Sequence, residues 1–231
     1  MCGRFTWTTP PELMWSILED FEIPMDFKPR YNIAPTQDVP VIPNTVSEIE
    51  SDTDRRKLEF FKWGLIPSWA KDAKIGSRMI NARSETLSEK PSFRNAYKRR
   101  RCLILADGYY EWVPTPGEKT KQPVYIRLKS KETFAFAGLW EQWKPEWTDK
   151  PFLSCTIITC SPNPILEEIH HRMPVILPQE NHEEWLASGK QPKENLQHLL
   201  TAYPGEEMEA YPVSTFVNKP MNDTPECIEP I

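Results

Sequence analysis

Apolar residues in this chain gather in short runs and seldom in long periodic stretches. Phe60-Phe61-Lys62-Trp63, Cys102-Leu103-Ile104-Leu105-Ala106, Val124-Tyr125-Ile126-Arg127-Leu128, Phe134-Ala135-Phe136-Ala137 and residues 154–160 are the clearest. All are rich in β-formers and bounded by turn residues, which predicts strands. Helical spacing is rarer. Thr8-Thr9-Pro10-Pro11-Glu12 reads as a helix start, with Leu13, Ile17 and Phe21 on one face. Ser161-Pro162 predicts a second start running through Ile165, Leu166 and Ile169, and further helices are expected around Trp185-Leu186 and over 196–200. Residues 44–56 are polar and acidic, 114–122 turn-rich, and 144–150 mix proline with charge. Strand patterns resume after each, so these are read as surface loops rather than domain boundaries. Prolines number 24 against 8 glycines and are spread along the chain, which fits many short elements joined by stiff loops. Strands and helices do not alternate, so a doubly wound parallel sheet is disfavoured. The expected fold is α+β, with a mostly antiparallel, barrel-like β core surrounded by helices in a single domain over 1–231.

Composition narrows the classes. With 39% hydrophobic residues, 11% aromatic residues and nine Trp, the 231-residue chain is globular and long enough for a sizeable core. No apolar run approaches the ~20 residues that cross a bilayer. Met1-Cys2-Gly3-Arg4-Phe5-Thr6-Trp7 has no cationic segment followed by an apolar one, so no secretory leader and a cytoplasmic location are expected. The five cysteines (Cys2, Cys102, Cys155, Cys160, Cys227) form no CxxC pair, which argues for reduced thiols over disulfides or a zinc knuckle. Cys102, Cys155 and Cys160 sit inside apolar runs and read as small core residues. His170 and His171 are adjacent and no Cys or carboxylate cluster has ligand spacing, so neither metal nor cofactor is expected, and the chain is expected to be monomeric. The formal charge of −5 disfavours indiscriminate coating of nucleic acid. Over 94–101, however, five cations (Arg94, Lys98, Arg99, Arg100, Arg101) occur without an acid, either a local basic patch or a solvated turn.

Chemistry enters at the N-terminus. A small residue after the initiator methionine permits its removal, leaving Cys2 with both a free α-amine and a thiol. An α-amine with a reference pKa of ~7.7–8.0 is about a quarter neutral near physiological pH, against about 0.1% for lysine at ~10.4. It is the better Schiff-base former, and the thiol two carbons away can close on the imine carbon to give a five-membered thiazolidine. Position alone does not decide this, since many cytosolic chains begin Met-Cys.

Further segments shift the balance. They are Arg30-Tyr31-Asn32-Ile33-Ala34-Pro35-Thr36, Trp63-Gly64-Leu65-Ile66-Pro67-Ser68-Trp69, Ile80-Asn81-Ala82-Arg83-Ser84-Glu85-Thr86, Ala106-Asp107-Gly108-Tyr109-Tyr110-Glu111-Trp112 and Ile169-His170-His171-Arg172-Met173-Pro174. Together with Met1-Cys2-Gly3-Arg4-Phe5, and in this order, they closely resemble the SOS response-associated peptidase family, also called abasic site processing proteins. The resemblance runs from Cys2 to about Pro230. It implies an α+β fold with a barrel-like sheet, a positively charged cleft for single-stranded DNA, and a thiazolidine crosslink between the mature N-terminal Cys and the ring-opened sugar of an abasic site. Carried over by motif, the catalytic group is Cys2, Asn81, Glu111 and His170. The DNA-binding positions are Arg4, Asn32, Pro35, Trp69, Arg83 and Thr159. Ala70 stands where some relatives carry a second aromatic, which implies weaker stacking at that edge.

The residue types suit the chemistry on their own terms. Imine formation needs a proton for the departing hydroxyl and removal of one from the amine, work for a carboxylate and an imidazole near neutral pH. Glu111 lies in a setting where partial burial would raise its pKa, though a solvent-facing strand carboxylate is the plainer reading. His170 is read as closing an amphipathic helix and is separated from His171 only by motif register. Asn81 is suited to orienting the α-amine, or to stabilising a turn. Arg4 and Arg83 suit phosphate, and Trp69 suits base stacking; surface pairing and core packing are their ordinary uses. Two other functions stay open: a peptidase or amidase with Cys2 as N-terminal nucleophile, and a non-catalytic single-stranded DNA-binding module in which Cys2 is incidental.

Overall fold

A computed structural model describes residues 2–10, 27–44, 57–117 and 119–231, and the statements below concern these. The strands are β1 (Phe5–Trp7), β2 (Arg30–Ile33), β3 (Asp38–Pro43), β4 (Glu59–Trp63), β5 (Asn81–Arg83), β6 (Arg101–Ala106) and β7 (Gly108–Val113), then β8 (Gln122–Leu128), β9 (Phe134–Trp143), β10 (Phe152–Cys160), β11 (Met173–Pro174), β12 (Ile176–Leu177) and β13 (Met208–Pro212). Five of them close a barrel. β3 lies between β4 and β6, β6 pairs with β9, β9 with β10, and β10 returns to β4. Only the β10–β4 closure is parallel; the other four pairings are antiparallel. The class is therefore the expected α+β with a mostly antiparallel barrel. No helix among the described residues is long and apolar enough to cross a membrane.

A second sheet, in the order β13-β8-β7-β1-β2, leans on the barrel. The chain passes from one to the other through Asp107, the single residue between β6 and β7. Its carboxylate binds the start of the chain. One oxygen accepts from Thr6 Oγ1 at 2.5 Å, the other from the amides of Thr8 (2.5 Å) and Thr9 (2.8 Å) and from both their hydroxyls. Gly108 is needed beside it, because a Cβ there would lie 2.0 Å from the Tyr125 hydroxyl, which shares a 2.9 Å hydrogen bond with Thr6. Phe5 then packs edge-on against Trp63 and Phe136, at centroid distances of 5.1 and 5.8 Å. The N-terminal segment is thus held within the core between the sheets.

Sequence and structure differ in the helices. The start expected at Thr8 to Glu12, with Leu13, Ile17 and Phe21, lies mostly outside the described residues. Helix α1 (Arg94–Arg99) was not expected. The helix expected from Ser161 is one turn, α2 (Pro164–Glu167): Asn163 is the N-cap, accepting from the Leu166 amide, and Pro164 takes the first helical position. Helix α3 (His182–Trp185) falls at the expected place, whereas 196–200 forms only a 3-10 turn.

The cationic run is divided by burial. Arg100 pairs with Glu141 at 2.8 Å. Arg101 is fully buried and donates to the carbonyls of Tyr97 (3.1 Å), Trp185 (2.8 Å) and Ala187. The Tyr97 and Trp185 carbonyls belong to the last turns of α1 and α3, where unpaired backbone oxygens favour a cation, and Ala187 lies just beyond α3. Burial lowers the Arg101 pKa only to about 10, so it stays charged at neutral pH. Arg101→Ala removes three charge-assisted hydrogen bonds and is expected to cost at least about 3 kcal/mol of stability. Urea unfolding checks this, and a loss below about 1 kcal/mol would show that the carbonyls find other partners.

Candidate active site

Three segments meet around the start of the chain. The first is β7. Phe5 lies opposite Tyr109, and the Tyr110 amide donates to the Arg4 carbonyl at 3.0 Å, so residues just before β1 run beside Tyr109–Glu111. Strand alternation turns Tyr109 and Glu111 to one face and Tyr110 to the other. Tyr109 accordingly joins the main core with Cys2, and Tyr110 a separate cluster. The second is β5, whose Asn81 donates through Nδ2 to the Cys2 carbonyl at 2.7 Å. Asn81 Oδ1 is buried and has no hydrogen-bond partner. β5 is fixed by parallel pairing to β10, with Asn81 opposite Ile157 and Arg83 opposite Thr159. The third is the turn that carries His170 and enters β11, which pairs with Thr159 and Cys160 at the same end of β10.

Cys2 is fully buried, an outcome its position outside any apolar run did not suggest. Burial, and then the Glu111 charge, pushes its thiol well above the ordinary value, so it is held protonated. Glu111 is 4% exposed, and burial raises its carboxyl to about 7 against the opposing positive charges of the chain terminus and Lys121. His170 is held below its usual value, first by burial and then by the positive terminus, with His171 and Lys121 adding to the effect. The Arg172 amide is 3.0 Å from His170 Nδ1. The ring's tautomer decides whether Nδ1 accepts from that amide or donates to the Arg172 carbonyl. The Arg172 carbonyl, 3.1 Å from the same nitrogen, accepts only when that nitrogen is protonated. His171 stacks on His170 with centroids 4.3 Å apart.

The expected DNA-binding residues divide into two kinds. Trp69 is 58% exposed and Arg83 is exposed, both open to a ligand. The turn leading to Trp69 is set by a close backbone approach: a Cβ on Gly64, whose φ is +132°, would lie 2.6 Å from the Gly76 carbonyl oxygen. Pro35 is half-buried in an adjoining turn, where the Thr36 amide donates to the Trp63 carbonyl at 2.8 Å. Thr159 is buried, its hydroxyl 3.4 Å from the Ala82 carbonyl. Arg4 and Asn32 have internal work. Arg4 Nη1 donates to Asn32 Oδ1 (2.6 Å) and the Val217 carbonyl (2.9 Å), with its guanidinium 5.5 Å from the Trp112 ring centre. Asn32 Nδ2 is shared among the carbonyls of Val217, Lys219 and Asn222, tying the C-terminal segment to β2.

Reasoning from sequence passed over three residues. Tyr109 has a buried hydroxyl without a hydrogen-bond partner on the same strand face as Glu111. Glu85 and Arg172 form a forked ion pair between two of the motif segments, at 2.6 and 3.0 Å. Their opposite charges in those segments were the available signal. An apolar hollow of about 290 Å³ lined by Trp7, Phe27, Ile33 and Phe60 contains none of the expected site residues.

The family model described as SOS response associated peptidase (SRAP) matches residues 1–220. The chain is 48% identical to the abasic site processing protein YoqW of Bacillus subtilis (strain 168), over 99% of each. It is 34% identical to the abasic site processing protein HMCES of Gallus gallus, over 89% of this chain and 67% of that one. A crystal structure of a Bacteroides thetaiotaomicron protein superposes with a TM-score of 0.76 at 31% identity, covering 87% of this chain and 85% of that one.

Proposed function

We propose that this chain, which belongs to the SOS response associated peptidase family, processes abasic sites in single-stranded DNA by forming a thiazolidine through Cys2 once Met1 has been removed. The observation that carries the reading is the buried Cys2–Glu111 neighbourhood. A thiol held protonated by burial is a poor lone nucleophile, whereas an adjacent carboxyl titrating near neutrality can both take and give protons. This favours initial attack by the α-amine over acyl transfer by a thiolate.

The chemistry balances with water as its only by-product. The neutral α-amine of Cys2 adds to C1′ of the ring-opened sugar, forming a C–N bond. Glu111 in its acid form protonates the resulting hydroxyl, which leaves as water, and the Glu111 carboxylate so formed takes the proton from nitrogen to give the imine. Sulfur then bonds to the same carbon while the thiol proton is transferred to nitrogen, closing the ring. Asn81 fixes the Cys2 backbone through its carbonyl and keeps Oδ1 available to the amine. His170, held below its usual value by burial, is the second proton carrier.

The test is incubation of mature protein with single-stranded oligonucleotides that do or do not contain an abasic site, followed by denaturing electrophoresis and intact mass. A denaturation-resistant adduct is expected only with the abasic strand, at the summed mass less one water, and only on protein lacking Met1. An adduct of equal yield on protein retaining Met1 would exclude the aminothiol.

Binding is expected to rest on the exposed pair. Arg83→Ala should weaken affinity for any sequence and lower the salt slope by about one phosphate contact. Trp69→Ala should cost ~1–3 kcal/mol if a base stacks there. Arg4→Ala is expected to lower stability along with binding, because it releases Asn32 and the Val217 carbonyl. Titration of a non-reactive abasic analogue at several salt concentrations separates these effects. Unchanged affinity in folded Arg83 and Trp69 variants would move the binding surface elsewhere, with the exposed cations of α1 next in line.

A further inference from the structure

We infer that the Tyr109 hydroxyl is a catalytic donor that hydrogen-bonds the C1′ oxygen of the opened sugar as the Cys2 amine adds to that carbon. The inference rests on the proposed reaction. Its basis is an unmet donor in the wall of the site. Tyr109 is 1% exposed, and its hydroxyl is buried with no hydrogen-bond partner among the described residues. The neighbouring tyrosines differ. Tyr110, turned to the opposite face, donates to the Tyr31 carbonyl at 2.7 Å, and the Tyr125 hydroxyl is 2.9 Å from Thr6 Oγ1. A buried hydroxyl left unpaired costs stability, so its retention calls for a partner that arrives later.

Position ties this donor to the reacting centre. Tyr109 lies opposite Phe5 across β1 and β7, and the Tyr110 amide holds the Arg4 carbonyl, so the start of the chain runs alongside it. Strand alternation puts its side chain on the Glu111 face, in one core with Cys2. Burial, followed by Cys2, Glu111 and Cys160, holds the hydroxyl well above its ordinary pKa. It therefore stays an O–H donor throughout and is not a proton source. Asn81 presents the complementary group. Its Nδ2 donates to the Cys2 carbonyl, and its buried Oδ1 is an acceptor without a partner among the described residues. Addition of a neutral amine to an aldehyde calls for both. As the C–N bond forms and the C=O π bond opens, nitrogen gains positive charge and oxygen negative charge. The acceptor serves the N–H and the donor serves the oxygen. The proton that passes from nitrogen to oxygen does not come from Tyr109, so the balance of the reaction is unchanged. A fixed donor aimed at a developing oxyanion counts most where water is excluded.

The test is Tyr109→Phe, which removes one oxygen and keeps the ring that packs edge-on against Phe136. Mature wild type and variant are compared in three measurements: adduct formation at saturating abasic single-stranded DNA, affinity for a non-reactive abasic analogue, and urea unfolding. Tyr97→Phe is the control. Its hydroxyl is equally buried and unpartnered among the described residues, but it stands on α1, outside the three segments around Cys2. Tyr109→Phe should form adduct about a hundredfold more slowly, as expected for loss of one preorganised donor. Its product should be lighter than the wild-type adduct by one oxygen. Affinity for the analogue should be unchanged, and the urea midpoint should rise because an unpaired polar atom has gone. Tyr97→Phe should share the rise in midpoint and react at the wild-type rate. A wild-type rate in Tyr109→Phe would overturn the donor and leave the thiazolidine reaction standing. A slow rate with a lowered midpoint would also overturn it, since the hydroxyl would then be bonded within the folded protein and act through structure. Equal slowing in Tyr97→Phe would do the same. Absence of adduct from wild type would remove the reaction itself, and the part of Tyr109 with it.

Discussion

Cys2→Ala is expected to yield no denaturation-resistant adduct on abasic single-stranded DNA, the largest effect of any single replacement in this chain. The variant keeps an α-amine in the same place, so an imine still forms, but no sulfur is present to close the ring. An imine is hydrolysed on denaturation, whereas a thiazolidine carries an additional C–S bond. Addition of borohydride during the reaction should therefore restore a trapped product in Cys2→Ala, lighter than the wild-type adduct by one sulfur and heavier by the two hydrogens of reduction. Loss of the side chain from a fully buried position removes a small part of the core, and an unfolding curve shows whether the variant is intact. The same stable adduct from Cys2→Ala without reductant would refute the thiazolidine. No product from Cys2→Ala even with reductant would mean that the amine does not lead.

Strand existence was legible in the sequence wherever a buried run was long enough to reveal itself. β6, β8 and β10 were all anticipated, because residues buried on successive positions produce dense apolar or β-rich segments. β1 and β5 were not: three residues each give no period to read, and they are strands only because β7 and β10 offer edges to pair with. β7 was hidden differently, since Gly108-Tyr109-Tyr110-Glu111 mixes a glycine and a carboxylate into a strand that divides two cores. The helix expected from Ser161 was displaced because Asn163-Pro164, two residues later, is the stronger capping signal.

The candidate site could be proposed from the sequence as a set of residues and not as an arrangement. Motif order pointed to Cys2, Asn81, Glu111 and His170, while the residues around Glu111 left a raised, partly buried carboxyl and a solvent-facing one both open, the second being the plainer reading. Burial of Cys2 was not, because it arises from the inward turn of the chain start held at Asp107, a contact separated by about a hundred residues. Arg4 and Asn32 illustrate the same point from the other side. Nothing local marks a C-terminal segment folding back across β2, yet that segment occupies both side chains. Long-range closure decides which polar residues face a ligand and which face the protein.

Glu111→Gln separates proton transfer from packing, because it preserves shape while removing the titrating group. Burial raises the Glu111 carboxyl from 4.5 to about 7, so near neutrality a substantial fraction is protonated and able to assist departure of the hydroxyl. Wild-type adduct formation should therefore rise with pH as the α-amine loses its proton, then fall above about 7 as Glu111 ionises. Glu111→Gln should lose the falling limb and react ~10²–10⁴-fold more slowly near neutrality, yielding eventually the same mass. Stability should move oppositely. A folded-state pKa above the unfolded one means that the native state binds the proton more tightly, so this contribution is present below pH 4.5 and is lost as pH rises through about 7. Glu111→Gln escapes that loss and should exceed wild type in stability at alkaline pH, by up to roughly 3 kcal/mol. Adduct time courses and urea unfolding across the same pH series measure both quantities. A slower reaction with no gain in alkaline stability would place the carboxyl in an ionised, paired state. A normal rate with the stability gain would leave Glu111 as a buried carboxyl without a part in the chemistry.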